Sequence, residues 1–159
     1  MHKFRIISVN KTSEKFIIEG EQEYLKRLKT LSSLEINECN VNCARSLSIP
    51  EIKGKEAIEI LKRIKPAYFF IALSENGRQF TSTDFSKYLF KKFAEGKPEI
   101  VFGIGGAFGW NPSVLERADL VFSLSNLTFP HQIARFLLVE QLYRAISLER
   151  GLPYHKHYL

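Results

Sequence analysis

Residues 68–73 read Tyr-Phe-Phe-Ile-Ala-Leu, six consecutive side chains without a charge. A run this short and this rich in aromatic residues predicts a strand. Because both alternating sets of side chains are apolar, the strand is expected to be covered on both faces. Strands of that kind belong to parallel sheets flanked by helices, so the hexapeptide points to an α/β fold.

The flanking sequence keeps a strand-then-helix rhythm. Upstream, Phe4–Val9 reads as a buried strand, and Ser13 opens a helix to about Thr30 whose Phe16, Ile17, Tyr24, Leu25 and Leu28 keep helical spacing. Leu34–Val41 is a weaker strand. Ser48-Ile49-Pro50-Glu51 has the form of a capping box with proline in the first turn, and starts a helix ending near Ile64. Downstream, Ser82 and Thr83 are expected to cap a helix carrying Phe85, Tyr88, Leu89 and Phe93. Ile100–Phe102 forms a strand leading into GIGGAFGW, Asn111-Pro112 caps a short helix, Leu120–Ser123 is a further strand, and a helix from about Pro130 to Arg150 is ended by Gly151. The alternation predicts a single Rossmann-like, mainly parallel sheet with helices on both faces. Ligands of such sheets bind at the carboxyl ends of the strands, here the loops after Leu73, Phe102 and Ser123.

The last helix is apolar nearly all round, from Ile133 and Phe136 through Leu142 and Ile146 to Leu148. One sheet face cannot bury such a surface. Either a second subunit covers the surplus in a symmetric dimer, or the helix is wholly internal.

With 159 residues, 18.4 kDa, 45% hydrophobic and 25% charged, the composition is that of one ordinary soluble domain, which excludes a disordered chain, a collagen-like repeat and a multidomain machine. The formal charge of +6 makes polyanions the first class of partner to consider. Residues 1–100 hold 18 basic and 13 acidic side chains and residues 101–159 hold 5 and 4, so any basic face lies on the N-terminal two-thirds. Cys39 and Cys43 lack a second pair or a histidine at zinc spacing, which predicts reduced thiols and no metal. With neither a signal peptide nor a membrane-length apolar run, the chain is expected to be cytoplasmic and independent of membranes.

Four motifs invite a chemical reading. Gly103, Gly105, Gly106 and Gly109 follow a strand, where they either let backbone approach a ligand or simply make a tight turn. They lack the dinucleotide-binding register, and no Walker lysine is present. Ser74-Glu75-Asn76-Gly77-Arg78 places charges at a strand end, where solvated loop charges are the commoner outcome. Leu124–Phe129, followed by Pro130-His131, has the small and apolar residues to wall a flat heterocycle, or to join the core. The tail Tyr154-His155-Lys156-His157-Tyr158 interleaves rings with cations, which suits base stacking and phosphate contact, although chain ends also fray. No nucleophile elbow or Ser/His/Asp series supports hydrolysis.

Taken together, LSENG, GIGGAFG, LSNLTFPHQIAR, VEQLYRA and the closing PYHK resemble the small SPOUT-class methyltransferases that modify N(3) of a pseudouridine in 23S ribosomal RNA. The likeness runs over essentially the whole chain and is strongest from residue 69 to 156. It implies one SPOUT domain over residues 1–159, with a C-terminal trefoil knot that binds the cofactor within about residues 69–150 and a substrate-facing tail at 151–159. It also implies a cytoplasmic homodimer that uses S-adenosylmethionine, without a metal, on ribosomal RNA in the assembled ribosome. By matched motif, Leu73, Gly105 and the segment Leu124, Ser125, Asn126, Leu127, Thr128 and Phe129 hold the cofactor. His155, Arg144 and Tyr154 face the target nucleotide, as proton acceptor, anion stabiliser and orienting ring. The tail is expected to serve a site that contains the partner's loops. His131 and Arg135 match as well, as loop anchors or RNA contacts. Relatives carry Val-Gly-Lys where this chain has Val9-Asn10-Lys11, a position at which asparagine tolerates the turn. The competing readings are a SPOUT methyltransferase acting on tRNA, a non-enzymatic RNA-binding dimer, and a flavodoxin-like nucleotide-binding protein.

Overall fold

The computed structural model describes residues 1–9 and 11–156, so Asn10 and the His157-Tyr158 end of the tail lie outside the described residues. Five strands and five helices follow in order: β1 (Lys3–Ser8), α1 (Lys15–Leu28), β2 (Ser33–Glu38), α2 (Ile49–Leu61), β3 (Phe69–Arg78), α3 (Ser82–Ala94), β4 (Ile100–Ile104), α4 (Pro112–Arg117), β5 (Leu120–Phe122) and α5 (His131–Glu149). A 3₁₀ turn, Pro153–Lys156, closes the described chain.

All strand pairings are parallel, in the order β2-β1-β4-β3-β5. Alternation along each strand divides the core into two layers. Phe4, Ile6, Phe69, Ile71, Ile100 and Phe102 pack against Leu28 of α1, Phe85 and Leu89 of α3 and Leu138 and Leu142 of α5. Ile7, Phe70, Ala72 and Val101 face the other way, onto Ala57 and Ile60 of α2, Val114 of α4 and Trp110. Each fully buried Phe or Ile in these layers contributes about 1.5–3 kcal/mol. Because β4 is inserted between β1 and β3, the order differs from the 2-1-3-4-5 of flavodoxin-like sheets, and that reading is set aside.

Helix ends follow their side chains. Ser48 Oγ accepts from Glu51 N at 3.3 Å while Glu51 Oε2 accepts from Ser48 N at 2.8 Å, the reciprocal capping box expected for α2. Ser48→Ala is expected to lower stability by about 1 kcal/mol, read from urea unfolding with an unchanged m-value. Asn111 caps α4 as its sequence predicts. The cap of α3 is Thr81 rather than Ser82 or Thr83: its hydroxyl accepts from Asp84 N at 3.1 Å, which places the acidic residue in the first turn. Gly151, at φ +65°, follows the end of α5.

One expectation is corrected. Ser74–Arg78 is not a plain loop: β3 continues through it with a register shift, and Arg78 pairs with Phe122 of β5 after the bulge. Gly77 permits this approach, because a Cβ there would lie 2.6 Å from the Phe122 carbonyl carbon. Along α5, Leu138, Val139, Leu142, Ala145 and Ile146 are buried in the chain's own core, while Ile133, Phe136, Leu137 and Tyr143 are half-buried. From His131 to Leu148 no residue of the helix is exposed, and Phe136 packs onto Gly20 of α1.

Candidate functional site

Since β3, β4 and β5 are parallel neighbours, the segments leaving them converge on one edge, around a cavity of about 480 Å³. Leu73, Gly105, Leu124, Ser125, Leu127, Thr128 and Phe129 line it, together with His131 and Ala134 at the start of α5. Asn126 is the one residue of the expected cofactor set that does not. Its Oδ1 instead accepts from Gln79 Nε2 at 2.8 Å, which ties the loop after β5 to the end of β3. The mouth is apolar and open: Leu127 is 70% exposed, Phe108 48% and Leu115 41%, an arrangement suited to a flat aromatic ligand.

Trp110 forms the floor. Its Nε1 donates to the Leu73 carbonyl at 2.7 Å, and a Cβ on Gly105 would sit 3.3 Å from three of its ring atoms. The glycine cluster is therefore a close-packing device, and Gly109, at φ +81°, turns the chain back towards the indole. Sequence reasoning passed over Trp110, although the chain's single tryptophan directly after a glycine turn was a usable signal. Glu75 is exposed, as expected of a solvated charge, and Thr128 Oγ1 donates to its Oε2 at 2.8 Å, linking two walls of the cavity.

The three residues expected to face the substrate form a second cluster, centred on Glu140. Arg144 donates to Glu140 Oε1 from Nη2 at 2.6 Å and from Nε at 3.1 Å, and the Tyr154 hydroxyl donates to the same oxygen at 2.9 Å. Tyr24 Oη lies 3.0 Å from Tyr154 Oη, and the Arg144 guanidinium lies 4.8 Å from the Tyr154 ring centroid. Burial, and then hydrogen bonding to Tyr24 and Glu140, holds the Tyr154 phenol far above its ordinary pKa, so it acts as a neutral donor. Burial opposes the Arg144 charge, but the hydrogen bonds and charge of Glu140 outweigh it and raise the pKa. His155 Nδ1 lies 3.5 Å from Arg144 Nη1, the outer limit of a hydrogen bond.

The two clusters are not brought together in one chain. Arg144 lies ten residues along α5 from Ala134 of the cavity wall, about 15 Å at 1.5 Å per residue.

Arg135 anchors the start of α5. Its side chain is 7% exposed and forms ion pairs with Glu21 at 2.8 Å and Glu38 at 2.7 Å. Cys39 and Cys43 are free, and burial pushes the Cys39 thiol upward. Among the described residues no three His, Cys, Asp or Glu side chains gather as for a metal ion, and no helix is long and apolar enough to cross a membrane.

Residues 2–155 match a family model described as "Predicted SPOUT methyltransferase". The chain is 41% identical over 160 residues to a protein of Desulfitobacterium hafniense (strain DSM 10664 / DCB-2) named "Ribosomal RNA large subunit methyltransferase H", covering 98% of this chain and 100% of that one. Proteins of the same name from Desulforamulus reducens and Streptococcus sanguinis are 38% and 39% identical, covering 98% and 97% of this chain and 100% and 99% of their own lengths.

Proposed function

This chain belongs to the SPOUT methyltransferase family, and from that premise we propose that it methylates N(3) of a pseudouridine in 23S ribosomal RNA, on the assembled ribosome, with S-adenosylmethionine as donor. A methyltransferase needs a methyl donor, and the observation that carries this choice is the cavity at the β3, β4 and β5 edge. Its volume suits a nucleoside-sized ligand, its mouth exposes Phe108, Leu115 and Leu127, and Gly105 brings backbone close to the Trp110 ring that lines it. The residues fit that donor: Leu124, Ser125, Leu127 and Phe129 would wall the adenine, and Leu73 and Gly105 would bring backbone against the rest. The whole of residues 1–159 would be one domain, with the knot within about residues 69–150 and the tail beyond it.

When bound, the donor supplies an electrophilic methyl group on a sulfonium. This chain's side chains must therefore align the acceptor nitrogen and stabilise it as it loses its imide proton. Arg144 would face the developing imide anion, Tyr154 would orient the base, and His155 would accept the proton. For His155 Nε2 to accept, the ring must carry its hydrogen on Nδ1. That turns Nδ1 into a donor, breaks the contact with Arg144 Nη1 and frees that N–H for the nucleotide.

Because about 15 Å of α5 separates Arg144 from the cavity within one chain, the active unit would be a homodimer in which the tail of one protomer serves the partner's cavity. The excess of basic side chains in residues 1–100 would supply contacts to ribosomal RNA, and the enzyme would work in the cytoplasm without a metal or a membrane.

Labelled methyl from S-adenosylmethionine, offered separately to assembled ribosomes, isolated large subunits and tRNA from cells lacking this protein, tests the reading. Label is expected in the ribosomal RNA of assembled ribosomes. Label in tRNA alone would overturn the substrate. His155→Ala is expected to lower kcat by about 10²-fold with cofactor binding unchanged, and full turnover in that variant would remove His155 as proton acceptor.

A further inference from the structure

Glu56 is a buried carboxyl group outside both the cavity lining and the Glu140 cluster. It lies on α2, is 7% exposed, and its Oε2 has no hydrogen-bond partner. A buried polar atom left unpaired requires a reason. The carboxyl group is pressed against the backbone of Gly106, in the turn that lines the cavity. A Cβ on Gly106 would overlap Glu56 Oε1 and lie 3.0 Å from both Cδ and Oε2. Burial pushes the Glu56 pKa up, with the Gly106 backbone amide pulling the other way as the next largest influence. The neighbouring Gly105 of the same turn lies against Trp110, whose ring is bonded to the Leu73 carbonyl.

We infer that Glu56 is a positioning residue for the cofactor: its carboxyl braces the Gly106 backbone from behind, so that the Gly105-Gly106 turn presents a fixed surface to the ligand in the cavity. The inference rests on reading that cavity as the S-adenosylmethionine site. It gives α2 a second role, since the helix covers one face of the sheet and also sets the shape of the binding turn. It also explains why position 106 is glycine although its φ is not left-handed: the space a side chain would take is filled by Glu56. Gly106 faces the cavity and Glu56 lies behind it, so Glu56 acts through the turn.

The test is equilibrium binding of S-adenosylmethionine by calorimetry, with steady-state kinetics, on the full chain. Glu56→Gln keeps shape and an acceptor oxygen, and is expected to bind as the wild type does. Glu56→Asp draws the carboxyl back by one methylene. It is expected to weaken binding about tenfold, raising KM for the donor while kcat at saturation is kept, since one hydrogen-bonded contact to a preorganised turn is at stake. Gly106→Ala is expected to weaken binding at least as much, and Glu56→Ala in that background to recover part of the loss, because the two positions compete for one space. Where Glu56→Ala alone fails to fold, the Asp and Gln variants decide. Unchanged affinity in Glu56→Asp, or an equal fall in kcat and in binding with Glu56→Gln, overturns the inference. Absence of binding by the wild type would instead overturn the reading of the cavity.

Discussion

Replacing Arg144 with alanine is expected to lower kcat for methyl transfer by about 10³-fold and to leave the dissociation constant of S-adenosylmethionine unchanged. The asymmetry follows from position. Arg144 is not among the cavity residues and lies some three turns of α5 from them, so the donor does not touch it within a protomer. It is nevertheless the fixed cation of the tail cluster, with Nε and Nη2 both spent on Glu140 Oε1 and Nη1 facing His155. A guanidinium held in this way costs little reorganisation when an anion forms beside it, which is where electrostatic stabilisation has its largest effect. Arg144→Lys should recover only part of the loss, because an ammonium cannot hold Glu140 by two bonds and still present a third donor. Single-turnover transfer into ribosomes, beside calorimetric binding of the donor, separates the two quantities. A wild-type kcat in Arg144→Ala would assign anion stabilisation to another group. A matching loss of donor affinity would mean that Arg144 touches the bound donor, in its own protomer or in the partner's cavity.

The sheet was legible because its strands are short apolar runs that alternate between two helical layers. Phe69 and Ile71 meet α3 and α5 while Phe70 and Ala72 meet Trp110 and α2, as a strand apolar on both faces requires. The continuation of β3 was hidden because Ser74, Glu75, Asn76 and Gly77 are turn formers by local preference, and only the backbone of β5 lying against Gly77 makes a bulged strand of them. The parts of the cavity that came from a contiguous motif, Gly105 and Leu124–Phe129, could be named in advance, with Asn126 the exception. Glu56 and Trp110 could not. Glu56 lies some fifty residues from the turn it supports, and a glutamate in a helix among lysines looks solvated until the fold places Gly106 against it. For Arg135 sequence left loop anchor and RNA contact side by side, because the two carboxylates that pair with it come from distant α1 and β2.

Arg135→Ala should cost about 3–5 kcal/mol of folding stability, more than any single cap or surface pair in the molecule. Arg135 Nε and Nη2 each lie 2.8 Å from an oxygen of Glu21, a bidentate pair, and Nη1 lies 2.7 Å from Glu38. The Glu21 side chain is 5% exposed, so deleting the guanidinium leaves a carboxylate that water cannot resolvate. The loss therefore reflects an uncompensated buried charge more than the attraction of the pair itself. For a chain of this length the Tm would fall by roughly 6–20 °C at fixed protein concentration. Removing the charge at both ends separates these contributions: Arg135→Met with Glu21→Leu should recover most of the stability, since apolar residues of similar volume tolerate that environment, whereas Glu38, 29% exposed, keeps access to solvent. Recovery of folding need not bring recovery of function. Arg135 follows Ala134 of the cavity wall and fixes the start of α5 to α1 and to the carboxyl end of β2. The double variant is therefore expected to regain its melting temperature while binding S-adenosylmethionine more weakly than the wild type. Affinity that returned in full with stability would confine Arg135 to the fold, and a double variant as unstable as Arg135→Ala would show that the network, and not the orphaned Glu21, carries the energy.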